Sequence, residues 1–184
     1  MASTFAGNDK ANLLSTALTA DSGDNIAVTS TSEAEVLGLD GKDTVVIGES
    51  ANKVTVSGGK GNDTILISGS TSNSAVQSNL GNDTIRITGD LFDSSVAGGK
   101  DNDTIFLESS SLDDASVYGG SGDDSITYSN KTGGINNSLI QDTQGDTSVS
   151  IDTQIFNSSS VVSGEGKDTI SITSGNTVEK TSVN

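Results

Sequence analysis

The stretch GGKGNDTILISGSTSNSAVQSNLGNDTIRI, residues 58–87, contains one complete repeat and the start of the next. Within it, Asp63 and Asp83 occupy equivalent places, and isoleucine follows each of them two and four residues later. The same pattern recurs along almost the whole chain, with threonine in place of the aspartate once. These marker positions are Asp24, Asp43, Asp63, Asp83, Asp103, Asp124, Thr147 and Asp168. The sequence is therefore organised in eight repeats of about twenty residues.

Apolar columns on both sides of the marker position predict two strands in each repeat. Aliphatic or aromatic residues two and four positions after the marker point to one face of a strand, because side chains alternate along it. Another aliphatic residue stands seven positions before the marker, as Val76 does before Asp83. The turns between the strands carry residues that tolerate positive φ. Ten positions before the marker these are Asn73, Asp93, Asp114 and Asn137.

A single repeat of this kind cannot bury its own apolar face, whereas stacked copies bury a continuous one. The sequence therefore predicts an all-β fold, a parallel β-solenoid of eight rungs with ~20 residues and two short strands each. The repeat domain is predicted over residues 20–174. An N-terminal cap over residues 1–19 would include a short helix from Lys10 to Leu18. Residues 175–184 are predicted to be a C-terminal tail or an unfinished rung.

Composition excludes several classes of chemistry and of partner. The 184 residues include no Cys, His, Trp or Pro and carry a formal net charge of -16. No Ser-His-Asp or Cys-His nucleophile, thiolate or imidazole metal site, or disulfide can form. The absence of a basic cluster opposes binding to nucleic acid, and no apolar run is long enough for membrane insertion. The first residues, MASTFAGNDK, have no basic start followed by an apolar stretch, so we expect no Sec-type signal peptide.

The glycine-rich stretches before the markers resemble the RTX family. GGKGNDTIL and GGSGDDSIT match its hemolysin-type calcium-binding nonapeptide, G-G-x-G-x-D-x-U-x, in full. The resemblance implies a β-roll in which aspartate carboxylates and backbone carbonyls of neighbouring rungs hold Ca²⁺. Here the motif returns only every twenty residues or so, which implies ions along one edge of the roll. The residues carried over are Asp43, Gly58, Gly59, Gly61, Asp63, Asp83, Asp103, Gly119, Gly120, Gly122, Asp124 and Asp168.

The physical case for a cation is separate from the resemblance. Oxygen ligands without nitrogen or sulfur suit Ca²⁺, which accepts irregular coordination. Carboxylates stacked ~5 Å apart repel by roughly 3 kcal/mol per pair at an effective dielectric constant of about 20. An alternative stays open, in which lysines neutralise the stack without a metal. Lys60 and Lys100 lie three residues before a marker, and Lys42 and Lys167 lie one before.

The sequence favours a non-enzymatic structural or surface-display protein that uses calcium as part of its fold. Carbohydrate-active β-helices bind substrate in loop-built clefts, whereas this chain has two Tyr, four Phe and no long insertion. We expect an extracellular, cell-surface or virion-surface location and contact with a protein partner or another subunit through the uncapped C-terminal rung. Two alternatives remain: a metal-free virion decoration, fibre or cap protein, and an adhesin or ice-binding module with a threonine ladder one residue after the marker.

Overall fold

The computed structural model describes residues 3–4, 13–15, 23, 25–28, 31–108, 111–179 and 182–183. These residues form strands, turns and bends, and they include no helix. The strands are β1 (Ser3–Thr4), β2 (Leu13–Ser15), β3 (Asn25–Val28), β4 (Thr31–Ser32), β5 (Glu35–Asp40), β6 (Thr44–Ile47), β7 (Ala51–Asn52), β8 (Thr55–Lys60), β9 (Thr64–Ile67), β10 (Thr71–Ser72), β11 (Ala75–Leu80), β12 (Thr84–Ile87), β13 (Leu91–Phe92), β14 (Ser95–Lys100), β15 (Thr104–Glu108), β16 (Leu112–Asp113), β17 (Ser116–Ser121), β18 (Ser125–Asn136), β19 (Leu139–Gln141), β20 (Ser148–Asn157), β21 (Ser160–Val162), β22 (Thr169–Glu179) and β23 (Ser182–Val183).

All strand pairs are parallel, and each strand between the two ends pairs with its equivalents in the rungs before and after it. Fourteen strands form one sheet and nine form the other. The register follows the repeat: Ile65 of β9 pairs with Ile85 of β12, which pairs with Ile105 of β15. The prediction of a parallel β-solenoid is confirmed, and its about 7 turns are close to the number of rungs expected.

The earlier rungs each contain one strand more than the sequence predicts, whereas in the later rungs the long strands β18, β20 and β22 take the place of two of these strands. After the four-residue strand β9 comes the two-residue strand β10, which belongs to the same sheet, and then the six-residue strand β11 of the other sheet. The short strand escapes notice because two residues show no periodicity. The glycine-rich stretch was expected to be a turn, but β8 continues through Gly58 and Gly59 to Lys60.

The core is a stack of columns inside the rod. The predicted columns are buried, including the valine column seven residues before the marker and the aliphatic columns after it. A further interior column lies on the short strands and was not predicted from the sequence. Its members are Ala51, Thr71, Leu91, Leu112, Ile135 and Phe156, all fully buried. Because Thr71 is polar and Ala51 is small, the column is evident only once the rungs are aligned in space.

Interior serines tie the rungs together at the corner before the nine-stranded sheet. The backbone N–H of Val54 donates to Ser74 Oγ at 2.9 Å, and that of Ser74 donates to Ser94 Oγ at 3.1 Å. Each hydroxyl donates in turn to the carbonyl two residues before it, that of Ser72 or Phe92. The positive φ ten residues before the marker is observed, with Asn73 at 50° and Asp93 at 46°. This corner thus satisfies its buried polar groups internally.

All variation in rung length falls at a single corner. Ile87 and Leu91 are four residues apart, whereas Tyr128 and Ile135 are seven apart. Ile135 nevertheless pairs with Leu112, which pairs with Leu91, so the extra residues bulge out and the register resumes. The register of β18 against β20 shifts between Asn130 and Gly134, at this bulge. The corner that contains the marker keeps a constant length in every rung.

The two ends of the rod are strands as far as they are described. Within the predicted helix from Lys10 to Leu18, β2 (Leu13–Ser15) is a strand that pairs with β5, and the other residues lie outside the described part. At the C-terminal end, β22 pairs with β20 and β23 pairs with β21, so the last rung reaches both sheets. Among the described strands, β22 and β23 have no partner on their outer side.

The outward face of the fourteen-stranded sheet carries the predicted threonine ladder. Thr64 pairs in register with Thr44 and Thr84, and Thr84 pairs with Thr104. The neighbouring outward column is not an open apolar patch. Val46, Leu66 and Phe106 are half-buried there, and Arg86 between the last two pairs with Glu108 at 2.5 Å.

Candidate cation-binding column

The marker residues lie at the bend that leads from the nine-stranded sheet into the fourteen-stranded sheet. In one rung, β8 ends at Lys60 and β9 begins at Thr64, and the bend lies between them. Gly59 and Gly61 have φ angles of 115° and 113°, a region that favours glycine because it has no Cβ. The bend directs the side chain of Asp63 into the rod, where it is buried.

The predicted glycines divide into two groups. Gly59, Gly61, Gly120 and Gly122 have positive φ and form the bend. Gly58 and Gly119 do not, and they are buried opposite the marker side chains instead. Replacement of the bend glycines is tolerated in some rungs, since Leu39 and Asn79 take the place of Gly59 with φ of 80° and 82°. This tolerance explains why only two nonapeptides match the RTX motif in full.

The marker aspartates form a buried row that we call the aspartate column. Its members expose at most 3% of their surface, and they are Asp43, Asp63, Asp83, Asp103 and Asp124. The backbone N–H of each one donates to Oδ1 of the next, at 2.8 Å from Asp43 to Asp63 and 2.6 Å from Asp63 to Asp83. The ladder continues at 2.9 and 2.8 Å to Asp103 and Asp124. The predicted single file is therefore observed, and it lies inside the rod.

One further member of the expected set lies beyond the C-terminal end of this row. Asp168 is partly exposed, and its Oδ1 accepts the backbone N–H of Thr147 at 3.1 Å, so it continues the same ladder. Asp24 lies outside the described residues. The column thus runs along the rod from Asp43 to Asp124 and resumes at Asp168 after the rung of Thr147.

The second carboxyl oxygen of each central aspartate is turned toward the opposite strand. Oδ2 of Asp63 and Oδ2 of Asp103 are buried and have no hydrogen-bond partner. A Cβ added to Gly58 would lie 2.5 Å from Asp63 Oδ2 and 2.9 Å from the carbonyl oxygen of Ser78. The same addition at Gly98 would lie 2.4 Å from Asp103 Oδ2. The glycine thus leaves room for oxygen atoms to converge from two rungs.

Burial changes the acidity of the column. It raises the pKa of Asp63 from 3.8 to about 7 and that of Asp103 to about 8. The donated backbone N–H lowers each pKa in part, while the neighbouring aspartates raise it further. Burial also raises the pKa of Asp83 and of Asp124. At neutral pH the charged form of the column therefore needs a compensating positive charge.

The lysines next to the marker positions do not supply that positive charge, because they lie on the surface. Lys60 is exposed and pairs with Asp40 at 3.1 Å, and Lys42, Lys100 and Lys167 are exposed as well. The other ion pairs among the described residues, Lys53 with Glu33 and Arg86 with Glu108, are also on the surface. The lysines that precede the markers thus point away from the buried carboxyls.

Asparagines one residue before the marker build a second, exposed ladder. The backbone N–H of Asn82 donates to Asn62 Oδ1 at 3.0 Å, and that of Asn102 donates to Asn82 Oδ1 at 2.9 Å. Asp123 N–H continues the ladder to Asn102 Oδ1 at 2.8 Å. These amides have a structural role at the bend, which accounts for the repeated Asn-Asp-Thr sequence.

Sequence reasoning missed one residue of the site, Asp142. It lies five residues before Thr147, where other rungs have a glycine or serine such as Gly119 or Ser78. The side chain is 1% exposed and accepts the Thr147 hydroxyl at Oδ2, at 2.7 Å. An acidic residue at this one position, in the one rung that lacks the marker aspartate, was the signal that could have revealed it.

The donors of the column are carboxylate and carbonyl oxygens, which suit a hard divalent cation. No group of three or more His, Cys, Asp or Glu side chains gathers in the described part of the chain. Any cation site would therefore combine two carboxylates with backbone carbonyls. Among the described residues there is also no helix long and apolar enough to cross a membrane.

Comparisons of this chain with known proteins identify no relative. No protein-family model, curated protein or solved structure matches the chain. The resemblance of GGKGNDTIL and GGSGDDSIT to the RTX nonapeptide therefore remains a prediction from the sequence. The fold that the chain adopts is the parallel β-solenoid.

Proposed function

We propose that this protein is a non-enzymatic, calcium-binding β-solenoid that serves as a rigid module on the outside of a cell or a virion. The observation that carries the proposal is the pair of buried, unpartnered oxygens, Oδ2 of Asp63 and of Asp103. Leaving such atoms unpaired costs about 1–3 kcal/mol each, and more where they are charged. A cation beside them would convert this cost into binding energy.

The residues present fit such an ion. Oδ2 of Asp63 faces the space at Gly58, and the carbonyl of Ser78 in the next rung borders the same space. At Gly98 the equivalent space is bordered by Asp103 Oδ2 and the carbonyl of Gly119. A bound cation supplies positive charge that stabilises the ionised carboxylates. The surface positions of Lys60 and Lys100 favour this proposal over the metal-free alternative.

The surface supports a structural role. The aspartate column lies inside the rod, so the ion would belong to the fold and would not face a substrate. The outer faces are regular ladders of small polar residues, such as Thr64, Thr84 and Thr104. A regular, strongly acidic surface favours solubility and display over binding to nucleic acid. Partner contact is assigned to these faces and to the C-terminal edge.

Calcium dependence is tested directly on the purified chain. After dialysis against EGTA, we expect added calcium at millimolar concentration to raise the melting temperature by at least ~10 °C, because several linked sites each stabilise the folded state. The measurement is far-ultraviolet circular dichroism during heating, with elemental analysis of bound calcium. Magnesium at equal concentration serves as the control and should have a smaller effect. Identical melting curves in EGTA and in calcium would contradict the proposal.

Self-association through the C-terminal edge is a separate prediction. Backbone groups on the outer side of β22 and β23 can pair with a further strand, so we expect this edge to contact a protein partner or a second copy of the chain. Light scattering coupled to size-exclusion chromatography measures the mass. A strict monomer at all accessible concentrations would count against this contact and would leave the calcium proposal intact.

A further inference from the structure

The rung of Thr147 retains a buried carboxyl group although it lacks the marker aspartate. In the other described rungs the carboxyl comes from the marker, and a glycine or serine faces it from the strand five residues earlier. In this rung the two residue types exchange places, with Asp142 on the facing strand and Thr147 at the marker. Both residues are buried, with 1% of each exposed. The corner therefore keeps one acid per rung while changing the strand that supplies it.

The geometry brings Asp142 to the end of the aspartate column. A Cβ added to Gly119 would lie 2.5 Å from Asp142 Oδ1 and 2.6 Å from Asp124 Oδ2. Both oxygens therefore border the same small space beside Gly119. Asp124 Oδ2 is buried and has no hydrogen-bond partner, so it is directed into this space unpaired.

The remaining hydrogen bonds fix Asp142 in this orientation. Its Oδ1 accepts the backbone N–H of Gly120 at 3.1 Å, and its Oδ2 accepts the Thr147 hydroxyl at 2.7 Å. Thr147 is thus the residue that positions the displaced carboxylate. Its own N–H donates to Asp168 Oδ1 at 3.1 Å, which continues the ladder toward the C-terminal end.

Without a cation, two ionised carboxyls at this place are costly. Two buried carboxyls around one space repel each other and lose their hydration, which costs several kcal/mol without a counter-charge. A rung with serine at 142 and threonine at 147 would avoid the cost entirely. Ser78 shows that a serine fits this side of the corner, because it is fully buried and donates to the Gly98 carbonyl at 2.8 Å.

We infer that Asp124 and Asp142 together form a binding site for a divalent cation beside Gly119, in which Asp142 replaces the missing marker carboxylate. The inference rests on the proposed calcium function and deepens it. It assigns a ligand outside the nonapeptide pattern and a positioning role to Thr147. The row of cation sites thus continues through the rung that its sequence motif would exclude.

The test compares three variants with the wild-type chain. Asp142→Ser removes the carboxylate, and the double variant Asp142→Ser/Thr147→Asp reproduces the arrangement of Ser78 and Asp83 in another rung. Asp146→Asn is the matched control, because Asp146 is exposed. Its Oδ1 accepts the backbone N–H of Lys167 at 2.9 Å, and the side-chain oxygen of asparagine can accept the same bond. Bound calcium per chain is counted by elemental analysis after equilibrium dialysis, and titration calorimetry gives the affinity. Circular dichroism checks that each variant is folded.

We expect Asp142→Ser to bind one calcium ion fewer than the wild-type chain, and the double variant to recover that ion. Asp146→Asn should bind the wild-type number. If Asp142→Ser loses no ion, or if the double variant does not recover it, the inference is overturned while the proposed function stands. If the wild-type chain binds no calcium, both fail, and a proton shared by the two carboxyls is the remaining account of the pair.

Discussion

In the presence of EGTA, the free energy of unfolding is expected to fall steeply as the pH rises from about 4 to about 8. Burial raises the pKa of Asp63 to about 7 and that of Asp103 to about 8, from 3.8 in the unfolded chain. Between these values the folded state binds protons that the unfolded state has released. Stability is therefore fully present below the unfolded pKa and is lost as the pH rises through the folded pKa.

The size of this effect follows from linkage. Each raised carboxyl lowers the free energy of unfolding by at most about 1.4 kcal/mol per pH unit within its window. The pKa values of Asp83 and Asp124 are also raised by burial, so four groups act together. Metal-free protein should therefore be markedly less stable at pH 8 than at pH 5.

Calcium should reverse the sign of this dependence. A bound cation stabilises the ionised carboxylates, so the folded state with calcium releases protons and gains stability as the pH rises. Urea unfolding at a series of pH values, in EGTA and in calcium, measures both slopes. Equal slopes in the two conditions would show that calcium does not reach the aspartate column. A flat profile in EGTA would show that the column is compensated from within the chain.

The second large effect is expected when two central carboxyls are neutralised. Asparagine at Asp63 and Asp103 keeps the Oδ1 that accepts the N–H of Asp43 or Asp83, and it removes the buried charge. In EGTA at pH 8.5, Asp63→Asn/Asp103→Asn should raise the free energy of unfolding by about 2 to 5 kcal/mol. In calcium the same variant should be less stable than the wild-type chain, because ligands for several ions are lost.

This change of sign between two buffers separates a cation site from a simple buried acid. The matched control is Asp93→Asn/Asp114→Asn, which removes the same charge from two exposed positions. Asparagine already occupies the same corner as Asn73, with a φ of 50°, so the control keeps the backbone conformation. Its stability should change little in either buffer. A double variant that is destabilised in both would mean that the carboxylates serve the fold in another way.

The sequence alone predicts the solenoid because residues at the same position of each repeat lie in one column. Ile65, Ile85 and Ile105 occupy the same position of successive repeats, and they pair with one another in the observed register. The two-residue strands and the interior column of Leu91 and Leu112 could not be predicted in this way. Short strands have no periodicity of their own and are defined by their neighbours in space.

The candidate site could be predicted in part. The alignment of Asp63, Asp83 and Asp103 follows from their spacing, whereas their burial depends on the direction of the bend. Spacing alone is also compatible with neutralisation by lysine, whereas Lys60 lies on the surface and pairs with Asp40. Asp142 could not be predicted as a site residue because it lies five residues before the marker position, where the other rungs have no acid. Only the packing of the rungs brings it close to Asp124.

The uneven length of the rungs has a consequence for engineering. Additional residues are accommodated between Tyr128 and Ile135, and the register of β18 against β20 resumes at Gly134. The opposite corner, which contains the aspartate column, tolerates no such change because each backbone N–H must meet a carboxylate in the next rung. Foreign peptides grafted at the bulged corner would project from the rod at a fixed position along its axis. The solenoid could therefore display epitopes at defined spacings.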